Sequence, residues 1–201
     1  MGKLVAVERV SLDGVMQAPA RPDEDMRSGF EHGGWGGPYM DAVAAQAMGE
    51  GMAQGRSNGG ALLFGRRTYL DFFKVWPTRT NNPYTDVLNN TQKYVASTTL
   101  SNPLAWQNST LIAGDVPATV ARLKAEGRHL CVLGSGELLR SLMRHHLVDE
   151  FVLSITPLVV GAGQRMFPDT GTFEKLELIK AIPTTTGVLI GTYRVAAGGS
   201  R

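Results

Sequence analysis

From Ala61 to Thr156 the chain repeats one pattern: a short Leu/Val-rich run, a turn, then a segment with helical periodicity. Residues 61–64, 92–96, 110–113, 130–133 and 150–156 are strand-length apolar runs, too short for helices. Residues 67–75 read as a helix stopped by Trp76-Pro77. Asp115 as N-cap, Pro117 in the first turn and Gly127 at the end bound a second helix, and residues 137–146 form a third. Strands that alternate with helices lie parallel, because each helix returns the chain to the sheet's starting edge. A strand at residues 3–11 precedes this block. Residues 175–181 and 188–195 follow as two strands in a row, which pair antiparallel. The expected fold is α/β, a three-layer sandwich with a mostly parallel central sheet and an antiparallel C-terminal hairpin. No repeat or linker divides residues 1–201, so a single domain is expected.

The remaining segments are less regular. Residues 39–54 read as a helix with Tyr39, Val43, Ala47 and Met48 at helical spacing. Residues 12–38 are rich in Gly, Pro and charge, and loops of that length in compact domains are functional or disordered. Residues 78–86 (TRTNNPYTD) and the Gly-rich 157–169 read as loops, and the tail 196–201 as frayed.

Composition removes several classes of function. A net charge of +2 with no run of five like charges gives no footprint for nucleic acid. The one cysteine, Cys131, precludes an internal disulfide and, inside LCVL, reads as a small buried hydrophobe. No stretch approaches the ~20 apolar residues of a membrane span, and the amino end is too short in apolar residues for a signal peptide. A cytoplasmic protein with no membrane partner is expected. The four histidines lack metal-site spacing, and His145-His146 closes a helix.

Three strand ends carry residues suited to phosphate. Gly65-Arg66-Arg67-Thr68 offers close backbone approach, planar cations and a hydroxyl at a helix start. Ser97, Thr98 and Thr99 place hydroxyls just past the next strand, and Gly134-Ser135-Gly136 precedes a helix. Each motif alone also reads as ordinary turn chemistry. A dinucleotide fingerprint of the GxGxxG type fails, because its third glycine position is Leu139 and no acidic residue follows at the required distance. No Gly-Lys-Ser/Thr phosphate loop occurs either.

The ordered set SLDG, GRRTY, VAST, LGSGEL and ITPLVVGAGQRMF resembles the dihydrofolate reductase-like superfamily, in particular the reductase domain of the riboflavin-pathway deaminase-reductase. The resemblance runs from Lys3 to Val195. It implies NADPH along the carboxyl edge of the sheet, with Gly65, Arg66 and Thr68 at the phosphates. Arg66 would face the 2′-phosphate together with Ser97 and Thr98, and Gly134, Ser135 and Gly136 would approach the pyrophosphate. Glu137 stands where a basic residue is common in folate reductases. The resemblance further implies a homodimer and the reduction of a small planar heterocycle, of the 5-amino-6-(5-phosphoribosylamino)uracil type. Dihydrofolate reduction, a non-catalytic NADP-binding dimer and a flavin enzyme are the alternatives. No zinc-deaminase motif accompanies the reductase-like sequence.

Two carboxylates are candidate catalytic acids. Asp41 lies near the start of the first helix, where it is either the acid or a first-turn residue opposing the dipole. Asp13, in SLDG, is either at the pocket mouth or a turn residue before Gly14. Trp35, Phe72 and Trp76 either wall a planar pocket or belong to the core, with Trp35 and Trp76 retained as substrate candidates. Arg165 is the cation available to a substrate phosphate, or an exposed hairpin residue.

Overall fold

The computed structural model describes residues 1–57, 59–167 and 174–196. Its strands are β1 (Leu4–Ser11), β2 (Ala61–Gly65), β3 (Lys93–Ala96), β4 (Ser109–Ile112), β5 (Leu130–Leu133), β6 (Glu150–Thr156), β7 (Leu176–Pro183) and β8 (Leu189–Val195). Its helices are α1 (Ala42–Gly55), α2 (Arg66–Val75), α3 (Pro83–Asn90), α4 (Val116–Ala125) and α5 (Gly136–Arg144). One sheet runs β4-β3-β2-β5-β1-β6-β8-β7. From β4 to β6 in that order all neighbours are parallel, and β8 and β7 close the sheet as an antiparallel pair. The α/β sandwich and its C-terminal hairpin are therefore as the sequence pattern requires.

Alternation along the central strand β1 makes the three layers. Leu4, Ala6 and Val10 pack with Val120 and Leu123 of α4 and with Leu138, Leu139 and Leu142 of α5. Val5 and Val7 pack on the opposite face with Ala44, Ala47 and Met52 of α1 and Tyr69 of α2. Cys131 is buried, and burial pushes its thiol pKa up.

Three local expectations change. Helix α1 begins after Asp41, and Tyr39 belongs to a preceding 3-10 turn. Its buried face is Ala44, Ala47, Gly51, Met52 and Gly55, whereas Val43 is exposed. A Cβ on Gly55 would lie 2.7 Å from the Cβ of Cys131, and one on Gly51 would lie 3.0 Å from Val152. The helix meets the sheet through absent side chains, which hydrophobic periodicity does not register. Second, α3 starts inside the expected loop at 78–86. Asn82 Oδ1 accepts the Tyr84 N–H at 2.9 Å and Pro83 is the first helical residue, an N-terminal signal that also reads as a turn. Third, β2 passes directly into α2, with Gly65 as N-cap and Arg66 already helical.

The long segment 12–38 is pinned rather than loose. Gly34 N–H donates to Ala18 at 2.8 Å and Gly36 N–H to Pro19 at 2.9 Å. A Cβ on Gly33 would sit 2.4 Å from the Pro22 carbonyl oxygen, so only glycine permits this approach. Gln17 ties the segment to the loop after β6, accepting the Gln164 N–H at 2.9 Å. The expected end of that loop at 168–169 and the frayed residues 197–201 lie outside the described residues.

Candidate active site at the carboxyl edge of the sheet

The three phosphate-type loops follow β3, β2 and β5, which are consecutive in the sheet. Gly65 is the register partner of Ala96, so Arg66 and Ser97 leave the sheet side by side. Ser135 Oγ accepts the Gly65 N–H at 2.9 Å, joining the second loop to the third. A Cβ on Gly134 would lie 3.2 Å from Thr68 Cγ2, so Thr68 faces the glycine loop. Ser97 Oγ accepts the N–H groups of Thr99 and Leu100 at 3.1 and 3.0 Å, which leaves its hydroxyl hydrogen free to donate outward. Thr98 is exposed beside it. Among the described residues Arg66 makes no ion pair.

Gly134 (φ 57) and Ser135 (φ 66) are both left-handed, and they turn the chain from β5 into α5. The first-turn N–H groups of α5 at Gly136, Glu137 and Leu138 have no acceptor among the described residues, and they point to where an anion is favoured. Glu137 does not fill that place. Its Oε1 pairs with Arg67 at 3.0 Å and Arg27 at 3.2 Å, on the exposed rim. Ion pairs so exposed contribute roughly 0–1 kcal/mol and open readily.

Next to these loops the sheet itself opens. The Lys3 carbonyl accepts from Leu130 and the Leu4 carbonyl from Asp149, so odd-numbered β1 residues turn their backbone toward β5 and even-numbered ones toward β6. Pairing with β5 ends at Val7 and Leu133, while pairing with β6 continues to Ser11 and Thr156. The turn at Gly134 carries its backbone away before the next rungs form. The Val7 carbonyl and the Arg9 N–H and carbonyl therefore face a gap between β1 and β5. Such a row of one donor and two acceptors suits a ligand carboxamide.

The two candidate acids sit in tight cages. Asp13 accepts from Ser11 Oγ at 2.6 Å and from the N–H groups of Val160 and Gly161 at 3.0 Å each. The Ser11 hydroxyl and these backbone donors hold its pKa down to about 2. Asp41 caps α1 by accepting the Ala44 N–H at 2.7 Å, and it takes both the N–H and the hydroxyl of Thr185 in the β7–β8 turn. Led by the Thr185 hydroxyl, these donors lower its pKa to about 2 as well. Both are anions at neutral pH, so neither has a proton to donate there, and each instead ties one segment to another. Arg165 lies with Asp13, donating through Nε to its carbonyl at 3.0 Å.

The depressed pKa of Asp13 sets a direction for acid stability. The tie contributes fully above the unfolded-state value of about 3.9 and fades as pH falls toward 2. Asp13→Asn should therefore lower the melting temperature at pH 6, and the gap from wild type should close between pH 4 and 2. Thermal melts across that range read it directly.

Trp35 and Trp76 are not brought together. Trp35 packs with Val15, Ala18 and Phe30, and its Nε1 donates to Gln17 O at 2.8 Å. Trp76 lies at the far end of α2, about 16 Å along the helix from Gly65 at 1.5 Å per residue. There it packs on Phe72 beneath Arg79, as part of the core. Phe72 packs on Phe64 in the same cluster.

Two residues of the opened strand carry charges that the sequence reading passed over. Glu8 is 3% exposed, its Oε1 has no partner, and burial pushes its pKa well above the usual carboxylate value. Arg9 is its neighbour on the opposite face. The signal was available: VAVERVS is an apolar strand interrupted only by Glu-Arg.

A profile of the RibD C-terminal domain matches residues 3–190. The chain belongs to the RibD C-terminal domain family. That family is of reductase type, and its model spans all three phosphate-type loops and the opened strand. YwjB of Bacillus subtilis (strain 168), an uncharacterized protein, is 29% identical over 124 residues, 57% of this chain and 71% of that one. A putative riboflavin biosynthesis protein from Shewanella sp. PV-4 has a TM-score of 0.66 at 18% identity, covering 96% of this chain and 99% of that one. Dihydrofolate reductase from Enterococcus faecalis, complexed with NADP(H) and RAB-propyl, has a TM-score of 0.58 at 13% identity over 96% of each chain. At these identities the solved structures show that this RibD C-terminal domain has the dihydrofolate reductase-like fold. No helix among the described residues is long and apolar enough to cross a membrane.

Proposed function

We propose that this chain is an NADPH-dependent reductase of a small planar heterocycle, of the 5-amino-6-(5-phosphoribosylamino)uracil type, working as a cytoplasmic homodimer. The observation that carries the reading is the continuity of the edge. Three loops with unpaired donors lie side by side and end at a backbone gap between β1 and β5. The residues present fit NADPH. Arg66, Ser97 and Thr98 would take the 2′-phosphate, and Gly65, Thr68, Gly134, Ser135 and the free N–H groups of α5 would take the pyrophosphate. The gap would take the nicotinamide carboxamide. NADPH, when bound, supplies the hydride. The accompanying proton would come from water or from Glu8, whose pKa burial raises, and not from Asp13 or Asp41.

Strand β7 supports a dimer. It is the sheet's outer strand and exposes Leu178 and Ile179 between Glu177 and Lys180, an apolar surface that a second copy would cover.

The experiment is calorimetry of wild type and Arg66→Ala with NADPH and with NADH. Wild type should bind NADPH more tightly. Arg66→Ala should lose NADPH affinity by roughly 1.5–3 kcal/mol, the range for a hydrogen bond to a charged group, and bind NADH as before. Equal loss for both cofactors removes the 2′-phosphate assignment, and no NADPH binding by wild type removes the reading. Sedimentation of the same sample should give twice the chain mass.

A further inference from the structure

Among the described residues, Arg9 carries a buried guanidinium nitrogen that has no hydrogen-bond partner. Arg9 lies on the α1 face of β1, in line with Val5 and Val7. Its stem passes under Gly36, where a Cβ would come within 2.9 Å of Arg9 Cδ. Its Nε is shut off from solvent and has no acceptor, and the side chain makes no hydrogen bond or ion pair among the described residues. Burial lowers its pKa, with Glu24 opposing, yet a guanidinium stays charged at any physiological pH. Glu24 does not neutralise it by contact: no ion pair joins the two among the described residues, and Glu24 Oε2 accepts the N–H groups of Ala20 and Arg21 at 2.7 and 3.2 Å.

A partly buried cation whose Nε is sealed from solvent without an acceptor is costly to keep. A ligand that brings the missing acceptor explains it. The location fits, since the Arg9 backbone borders the gap between β1 and β5 while its side chain projects toward α1 and the pinned 12–38 segment. Trp35, one residue before Gly36, is held there by its bond to Gln17 and adds an aromatic surface. Ser154, the register partner of Arg9 on β6, puts a buried hydroxyl on the same face.

We propose that Arg9 forms an oxyanion-binding subsite, and that the ligand of this site is a planar heterocycle bearing an anionic oxygen group, for which a ring carboxylate serves as probe. The subsite deepens the reductase reading by naming the acceptor's charge, and as substrate recognition it rests on that reading. The binding itself does not need the cofactor. Arg165 is distinct from it, because Arg165 is already engaged with Asp13 at the rim.

The test compares two probes that share a ring, orotate with its carboxylate and uracil without, by calorimetry. Each is titrated into apo protein and into protein saturated with NADP⁺. Wild type should bind orotate at least tenfold more tightly than uracil. Arg9→Gln should erase that preference, and Arg9→Lys should keep part of it. Inorganic phosphate should compete with orotate in wild type and not in Arg9→Gln. Circular dichroism and melts check that both variants fold; should Arg9→Gln not fold, Arg9→Met, which fills the same channel, replaces it. Equal binding of the two probes, binding of neither, or a preference that survives loss of the guanidinium overturns the proposal. Failure of NADP⁺ to bind, with orotate still preferred by the apo protein, overturns the reductase reading and leaves the subsite standing.

Discussion

Gly134→Val should cut NADPH affinity at least a hundredfold while the protein remains folded. Gly134 sits at φ 57, a conformation that costs a β-branched residue roughly 1–2 kcal/mol or more. Its Cβ would start 3.2 Å from Thr68 Cγ2 and 3.5 Å from Thr68 Oγ1. The two γ-methyls would then enter the space between Thr68 and the first turn of α5, where unpaired N–H groups await an anion. For a chain of this size about 2 kcal/mol of strain lowers the melting temperature by about 4–8 °C, which leaves a folded protein at 25 °C. The hundredfold loss corresponds to about 2.7 kcal/mol of binding free energy. Calorimetry of the variant with NADPH, beside its melting curve, separates the two effects. Undiminished affinity in a folded variant would show that the cofactor does not approach this loop. NADH should lose affinity in parallel, in contrast to Arg66→Ala, because the pyrophosphate is common to both cofactors.

The fold was legible because strands and helices in this chain announce themselves by length and by their turn residues. Asp115, Pro117 and Gly127 bound α4 nearly to the residue. What resisted reading was packing by absence and by reach. Gly51 and Gly55 seat α1 on the sheet with no side chain for a pattern to detect. Asp13 and Asp41 each looked like an acid near a pocket, but their partners, Val160, Gly161 and Thr185, lie more than a hundred residues away. Those partners turn both into ionised ties. The site divides the same way. The phosphate-type loops are local motifs that adjacent strands bring together, so sequence found them. The gap between β1 and β5 depends on where a ladder stops, which follows from register. Trp76 was open to two readings because aromatic residues at a helix end serve a core as readily as a pocket. Glu137 ceases to be awkward once Arg27, distant in sequence, is seen to draw it aside with Arg67.

Lys93→Met should produce the largest loss of stability, about 3–5 kcal/mol, from buried carbonyls that lose their donor at roughly 1–3 kcal/mol each. Lys93 has no exposed surface. Its ammonium donates to the carbonyls of Leu88, Asn89 and Thr91 at 2.7, 3.2 and 2.7 Å, closing the C-terminal end of α3, and lies 4.7 Å from the Trp106 ring centre. Methionine keeps the length and the apolar stem but takes the donor from the Leu88 and Thr91 carbonyls at a helix end, while the Asn89 carbonyl keeps the amides of Gln107 and Asn108 at 3.1 Å each. At 2–4 °C per kcal/mol the melting temperature should fall by about 6–20 °C. The damage should also be felt at the site. Trp106 donates its N–H to the Tyr69 hydroxyl at 2.8 Å, and Tyr69 lies on α2 within a turn of Arg66. Loosening this wall acts on folding, though, and not on the phosphate contacts themselves. Cofactor at a hundred times its dissociation constant should therefore return about 2.7 kcal/mol to the variant, as it does to wild type. A melting shift with NADPH that is equal in both proteins would place Lys93 in the scaffold. A variant as stable as wild type would mean that the Leu88 and Thr91 carbonyls find other donors.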